Sequence, residues 1–308
     1  MTKYVLSVDG GGIRGVIAAK VLCEIEKRIN RPLGEVFDLF VGSSVGSIIV
    51  AGLAFRDDKG GFKYTASDIL GFFHKFGPKI FSTSAVKKVL SVVCGSRISP
   101  NNLEKALRLF FGKSTMGDIP AKFMSPTYDV RMQEAHIMRN WVDKYKALHI
   151  VDVLRAASAA PTIFPPKKVA INGERCILVD SGLVANNPAV CGAAAADFLY
   201  KGEDVCFLSI GSGDPRHQHM EIKDNLIFWA QNVAQIFLDA GMETVDYQMN
   251  RMVGDEKYIR ITGELRKASH DFTDATARNI KALCDDADRI IAENISGIER
   301  FVAMVRKR

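Results

Sequence analysis

The chain has 308 residues, 47% apolar and 25% charged, with a formal net charge of +6 and a pI near 8.9. That length can bury a substantial core, as one large α/β domain or two smaller ones. The positive balance suits an anionic membrane surface or an acidic substrate but is too diffuse to argue for nucleic acid, with no Lys/Arg run beyond the closing Arg306-Lys307-Arg308.

Residues 3–8 form a run of β-formers ending at Asp9-Gly10-Gly11-Gly12-Ile13-Arg14-Gly15. A helical pattern follows to about residue 30, with Val16, Ala19, Val21, Leu22 and Ile25 on its apolar face, and Pro32 and Gly34 break it. Residues 36–55 read as a short apolar strand, a tight Gly42-Ser43-Ser44-Val45-Gly46 turn and a small-residue helix. Strand, helix, strand, helix within the first 56 residues predicts a parallel α/β sheet. Residues 57–118 change character, with a loop at Asp57-Asp58-Lys59-Gly60-Gly61 and then short helical pieces rich in Phe. Ser99-Pro100 is a good N-cap and first-turn pair for one of them. This stretch is expected to be a helical cap inserted over the sheet.

Strands are expected over 122–130 and 135–141, and a helix over 150–159 that stops at Pro161. Residues 168–171 and 175–179 flank Asn172-Gly173 and predict a hairpin whose second strand delivers Asp180. A buried alanine-rich helix is expected over 188–200, then a strand over 205–210 ending in Gly211-Ser212-Gly213. From residue 225 the chain reads as mostly helical, with one strand near 257–261 and a last helix over 274–305. The chain runs straight into its first strand, so no signal peptide is expected. The longest uncharged stretch, 39–55, falls short of the about 20 apolar residues that span a bilayer. The cysteines, Cys23, Cys94, Cys176, Cys191, Cys206 and Cys284, show no C-x-x-C spacing and read as small buried side chains. A cytoplasmic protein is expected.

The turn around Ser44 is G-x-S-x-G between a strand and a helix. A serine at the tip of such an elbow sits in strained backbone that exposes its Oγ. Glycines two residues to either side, Gly42 and Gly46, let strand and helix pass closely. Ser43 and Ser47 lack that flanking pair, so Ser44 is the candidate nucleophile; a turn using small residues only for packing is the competing reading. Gly10, Gly12 and Gly15 also fit the dinucleotide fingerprint G-x-G-x-x-G. That fingerprint needs an acidic residue at the end of the next strand, and here the strand ends Phe40-Val41-Gly42-Ser43. The same glycines, Gly10, Gly11 and Gly12, instead suit an oxyanion hole, because consecutive glycines before a helix expose N–H groups. Arg14 would add positive charge there.

A serine nucleophile needs a base. None of the six histidines lies in a triad setting, although His217 or His219, in a loop after a strand, fits that part. Asp180 is the better candidate. A carboxylate with a solution pKa near 3.9 is a poor base at neutral pH, and burial at a strand end would raise it. An aspartate that merely caps a turn is the alternative.

Together, Asp9-Gly-Gly-Gly-Ile-Arg-Gly15, Gly42-Ser-Ser-Val-Gly46 and Asp180-Ser-Gly182 resemble the patatin-like phospholipases, serine lipid acyl hydrolases with a Ser–Asp dyad and no catalytic histidine. Ala156-Ala-Ser-Ala-Ala-Pro-Thr-Ile-Phe-Pro165 and Asn186-Asn-Pro188 are similar to the segments before and after the family's aspartate strand. The match covers roughly residues 3–213. One departure is Ser181, where the family usually has Gly; a turn with φ > 0 would strain a serine there. The C-terminal third carries no motif.

The resemblance implies a single patatin-like domain over 1–308. It would be a three-layer α/β/α sandwich around a mostly parallel sheet, with a helical cap at about 57–118 and a mostly helical part over 223–308. It implies Ser44 as nucleophile, Asp180 as base, an acyl-serine intermediate and a phospholipase A-type reaction on membrane glycerophospholipid. No cofactor is implied, and no metal is expected, because no His/Cys/Asp cluster shows ligand spacing. Peripheral membrane contact and a small-molecule nucleotide activator are further implications, since family members include defence effectors switched on by cyclic nucleotides. A histidine-assisted esterase on small soluble esters and a non-catalytic regulatory module are the rival readings. In the cap, Phe72, Phe73, Phe76, Phe81, Phe110 and Phe111 are interleaved with Lys75, Lys79, Lys87, Lys88 and Arg97. They fit either a satellite core or a lid that docks on lipid.

Overall fold

The computed structural model describes residues 2–57, 59–82, 98–214 and 225–308. Along these the chain forms β1 (Lys3–Val8), α1 (Gly15–Ile29), β2 (Leu39–Gly42), α2 (Val45–Ala54), α3 (Ala66–Ile80), α4 (Asn101–Phe111), β3 (Lys122–Asp129) and β4 (Glu134–Arg139). Then come α5 (Asp143–Lys146), α6 (Ile150–Ala157), β5 (Lys167–Ile171), β6 (Glu174–Val179), α7 (Gly182–Ala185), α8 (Ala189–Leu199) and β7 (Val205–Ile210). The last elements are α9 (Leu226–Val253), β8 (Tyr258–Ile261), α10 (Ala277–Glu293) and α11 (Ile295–Arg306).

The eight strands make one sheet in the order β5-β6-β3-β2-β1-β7-β8, with β4 also paired to β3. Strands β3, β2, β1, β7 and β8 run parallel, while β4, β5 and β6 add an antiparallel edge. At the centre, β1 turns Tyr4, Leu6 and Val8 toward one core and Val5 toward the other. A strand covered on both faces has to be apolar on both, which is why the chain opens on an almost unbroken apolar run. Helices α1, α2, α10 and α11 pack in the first core; α8 and the C-terminal half of α9 close the second. The result is the expected α/β/α sandwich around a mostly parallel sheet.

Local chemistry explains several boundaries. Asn172 (φ 52°) and Gly173 (φ 81°) both take left-handed backbone, as a two-residue hairpin between β5 and β6 requires. Ser99 Oγ accepts the Asn101 N–H at 3.4 Å and Pro100 already has helical backbone, so the expected cap pair starts α4. The expected single last helix is instead two. Asn294 leaves helical geometry (φ −106°, ψ 16°), and its side chain donates to the Thr262 and Ile290 carbonyls, at 3.0 and 2.9 Å. That break lets α11 turn back onto the sheet, where Phe301 meets Tyr4 edge-on. Helix α8 is buried along one flank only, through Ala189, Ala193 and Ala196, while Phe198 is 80% exposed.

The cap contains α3 and α4. Phe72, Phe73 and Phe111 are buried, and Phe72 packs edge-on against Phe110 with centroids 4.8 Å apart. These rings join the main core beneath α1 and α2 rather than forming a satellite core or an outward surface. Lys87, Lys88 and Arg97 lie outside the described residues.

Candidate active site

Ser44 sits between the last residue of β2 and the first of α2 with φ 49° and ψ −121°. A non-glycine residue holds such backbone only where its surroundings force it. Here the close packing of β1, β2 and α2 holds it, and both flanking glycines permit that packing. A Cβ on Gly42 would lie 2.4 Å from the Ser47 nitrogen, and one on Gly46 would lie 2.1 Å from the Val8 carbonyl oxygen. Ser47 Oγ donates to the Gly42 carbonyl at 2.8 Å and sits 2.7 Å from Ser125 Oγ, so that serine ties the elbow to β3.

Asp180 arrives at the end of β6. Its N–H and that of Ser181 donate to the carbonyls of Ala159 and Ala157, at 3.2 and 3.0 Å, so the segment after α6 fixes where the aspartate emerges. Ser44 Oγ donates to Asp180 Oδ1 at 2.9 Å, and the Gly182 N–H donates to Oδ2 at 2.8 Å. Asp180 is 8% exposed. Burial pushes its carboxyl up to about 6, against the opposing pull of the Gly182 N–H and the Ser44 hydroxyl. Ser181 has ordinary right-handed backbone (φ −59°, ψ −34°), and its Oγ donates to the Pro126 carbonyl at 2.6 Å. Serine in place of glycine is therefore unstrained.

The glycine loop lies beside Ser44, but its members divide. The Gly10 N–H donates to the Asn186 carbonyl at 3.0 Å. Gly10 is thus removed from the expected set of oxyanion donors, because a committed N–H has nothing left to offer a substrate. The N–H groups of Gly11 and Gly12 have no hydrogen-bond partner among the described residues, and both residues line the cleft. Gly12 has φ +57°, and a Cβ there would meet the Phe272 carbonyl oxygen. Arg14 is buried and also lines the cleft; burial lowers its pKa, and its Nε has no hydrogen-bond partner among the described residues.

Three further residues secure this loop without any sequence motif to announce them. Ser212 Oγ donates to the Gly10 carbonyl at 2.6 Å, the Phe272 carbonyl accepts the Ile13 N–H at 2.9 Å, and Arg260 pairs with Asp9. The only advance signal was the Gly211-Ser212-Gly213 turn after β7.

Ser44 and Asp180 open onto a cleft of about 100 Å³. Phe72, Phe73 and Phe81 of the cap, with Phe164, Leu238 and Phe272, make its walls apolar. Among the described residues no histidine lines it. His149 Nδ1 lies 3.0 Å from the Lys113 carbonyl oxygen, His136 faces Tyr145, and His74 is near Cys284. His217 and His219 lie outside the described residues. A half-buried hydroxyl on a strained turn, a buried carboxylate bonded to it and free N–H donors beside an apolar cleft together suit acyl transfer.

A family model described as "Patatin-like phospholipase" matches residues 6–190. Patatin-like protein 2 of Oryza sativa subsp. indica is 25% identical over 344 residues, covering 96% of this chain and 85% of that protein. Patatin-like protein 1 of Arabidopsis thaliana is 24% identical over 338 residues, covering 94% and 82%. Among solved structures, VipD from Legionella pneumophila is similar over 95% of this chain and 67% of its own, at 14% identity and a TM-score of 0.41.

Proposed function

The chain belongs to the patatin-like phospholipase family, and we propose that it cleaves fatty acyl esters of membrane phospholipids through an acyl-serine on Ser44, with Asp180 as the base. As a member of that family it is a lipid ester hydrolase. The observation that carries the finer reading is the 2.9 Å hydrogen bond from Ser44 Oγ to Asp180 Oδ1 at the edge of an apolar cleft.

In this reading an acyl chain lies along the phenylalanine wall and its ester carbonyl reaches Ser44. As Oγ attacks the carbonyl carbon, its proton passes to Asp180 Oδ1. A carboxyl near pH 6 is ionised at neutrality yet basic enough to take that proton. The tetrahedral oxyanion is met by the Gly11 and Gly12 N–H groups, with the Arg14 charge close by. Collapse expels the lysolipid alkoxide, which recovers the proton from Asp180. Water, deprotonated by the same carboxylate, then releases the fatty acid and restores Ser44.

No helix among the described residues is long and apolar enough to cross a membrane. We take the protein to be cytoplasmic and to meet lipid peripherally. Trp229, Val233 and Phe237 of α9 support that contact: they are 44%, 53% and 60% exposed and lie on one helical stripe, while Gln235 and Leu238 of the same helix line the cleft. A nucleotide activator rests on the family resemblance.

The test is mass spectrometry of lipids from phospholipid vesicles incubated with the pure chain, with and without cyclic nucleotides. Release of free fatty acid and lysophospholipid by the wild type but not by Ser44→Ala is expected. Equal release by both would overturn the assignment.

A further inference from the structure

Away from the cleft, where β3, β4 and β6 meet, the sheet gathers a buried cluster of Asp129, His136 and Cys176. One ligand atom from each lies within 4.8 Å of the other two. The residues are 0%, 5% and 3% exposed. None lines the cleft, and hydrolysis has no use for them. Sequence spacing hides the group, because each residue comes from a different strand.

Asp129 Oδ1 is fully occupied. It accepts the N–H groups of Arg131 at 2.9 Å, Ile177 at 3.2 Å and Met132 at 3.4 Å, which fixes the carboxylate in one orientation. Oδ2 has no hydrogen-bond partner among the described residues. His136 Nδ1 lies 3.3 Å from Tyr145 Oη, so that nitrogen is matched to the phenol and Nε2 is turned to the cluster. Nε2 is 3.9 Å from Asp129 Oδ2, beyond hydrogen-bond length. Glu134 Oε1 is 3.1 Å from Nε2 at an angle that makes no hydrogen bond. Asp129 Oδ2 and His136 Nε2 thus face one another beyond hydrogen-bond length, with the Cys176 thiol close enough to the carboxylate to hold its pKa down. That arrangement is costly in a dry interior. A cation removes the cost. Bonds of about 2.0–2.2 Å to nitrogen or oxygen and about 2.3 Å to sulfur let one ion lie between atoms spaced like these.

We propose that Asp129, His136 and Cys176, with Glu134 as the fourth ligand, bind a divalent transition-metal ion of the zinc type. The mixed oxygen, nitrogen and sulfur set is too soft for Mg²⁺ or Ca²⁺ and suits four-coordinate zinc. Binding sends the Cys176 thiol proton to solvent and selects the tautomer with its proton on Nδ1, facing Tyr145 Oη, which leaves Nε2 to ligate. The ion is structural. It ties β3, β4 and β6 together four residues before Asp180, and takes no part in acyl transfer.

The experiment uses the full chain. Protein stripped with chelator, reloaded with Zn²⁺ and dialysed should retain stoichiometric zinc and unfold at a higher temperature than the stripped form. Loading with Co²⁺ should produce a thiolate-to-cobalt charge-transfer band and the visible bands of four-coordinate cobalt. Both should disappear in Cys176→Ser and weaken in His136→Gln. Retention of zinc without the cobalt–thiolate band, or a band that survives Cys176→Ser, overturns the proposal. Should Cys176→Ser fail to fold, the wild type still decides. Zinc must shield Cys176 from alkylation, read by peptide mass spectrometry, and equal labelling with and without zinc overturns it.

Discussion

Arg260 and Asp9, 251 positions apart, form a two-point ion pair at the head of the glycine loop. Nη1 reaches Oδ1 at 2.9 Å while Nη2 meets Oδ2, and Nη1 also donates to Ser209 Oγ at 2.8 Å. Asp9 is 1% exposed. Burial works against the guanidinium charge, but the carboxylate outweighs it and raises the arginine pKa. The part of the chain without motifs therefore clamps the part that is full of them.

Removing one partner of such a pair strands the other charge in the interior. Arg260→Met is expected to lose about 3–5 kcal/mol of stability in urea unfolding, and to lower turnover because the loop carrying Gly11 and Gly12 loosens. Adding Asp9→Asn to it should recover much of the stability, since no uncompensated charge remains, but not the turnover. An Arg260→Met protein as stable as the wild type would show that the clamp bears no strain.

Ser44→Ala and Asp180→Asn should each reduce ester hydrolysis to a similar low level, and the double variant should be little worse, because members of one unit are not additive. His270→Ala should stay within a few-fold of wild type. His217→Ala and His219→Ala extend the same comparison; loss of turnover in one of them, with the fold intact by circular dichroism, would favour a histidine-assisted mechanism.

The Asp180 carboxyl titrates near 6 in the folded chain against an ordinary value near 3.8. Under the proposed mechanism Asp180 must be ionised to act, so kcat/KM should fall about tenfold per pH unit below 6 and level off above it. Stability moves the other way. The folded state holds this proton more tightly than the unfolded state, so Asp180 contributes nothing below pH 4. It then costs stability progressively as pH rises from 4 to 6, reaching roughly 3 kcal/mol above that. Asp180→Asn should therefore melt higher than wild type at pH 7 and close to it at pH 4. An unchanged melting temperature at both values would contradict the burial argument.

Gly46→Ala sets two effects against each other. Alanine favours a helix over glycine by about 1 kcal/mol. The new methyl would sit 2.1 Å from the Val8 carbonyl of the central strand, where backbone cannot yield cheaply. The clash wins, and the variant should be destabilised by more than about 1 kcal/mol and lose activity. Gly11→Ala is a poorer probe of the donors, because its Cβ would strike the buried Ser212 Oγ at 2.2 Å.

What could be read from the sequence was local. The Ser44 elbow, the Asn172-Gly173 turn and the two-sided apolar run of β1 each state their geometry within a few residues. Asp180 was legible because a strand and a turn bracket it. The rest depends on partners distant in the chain. Nothing near Gly10 reveals that Asn186 takes its N–H, nor anything near Arg260 that it faces Asp9. Ser181 reads in the sequence as a strained departure, and its right-handed backbone removes the strain. Nothing local marks the break at Asn294, because a single asparagine inside a helical pattern is ordinary. Its side chain ends the helix only because the Thr262 carbonyl happens to be within reach.

Two parts of the molecule offer different surfaces for the proposed contact with lipid. Residues 226–238 carry no charge, and Trp229, Val233 and Phe237 stand exposed at helical spacing on α9, next to the cleft that Leu238 helps to line. Half-exposed side chains of this size gain about 1 kcal/mol each on burial, so Trp229→Ser with Phe237→Ser should weaken vesicle binding by roughly 30-fold. Cleavage of a short-chain soluble ester should be unchanged, because neither side chain lines the cleft. The sequence offers a rival in the cations of residues 57–118, Lys87 and Lys88 among them. Attraction by cations fades with salt over a Debye length of about 8–10 Å, whereas burial of α9 does not. Co-sedimentation with anionic vesicles should therefore be nearly flat between low and physiological salt and should drop in the α9 variant. A steep loss with salt, together with wild-type binding by Trp229→Ser/Phe237→Ser and weakened binding by Lys87→Glu/Lys88→Glu, would move the docking surface from α9 to the cap.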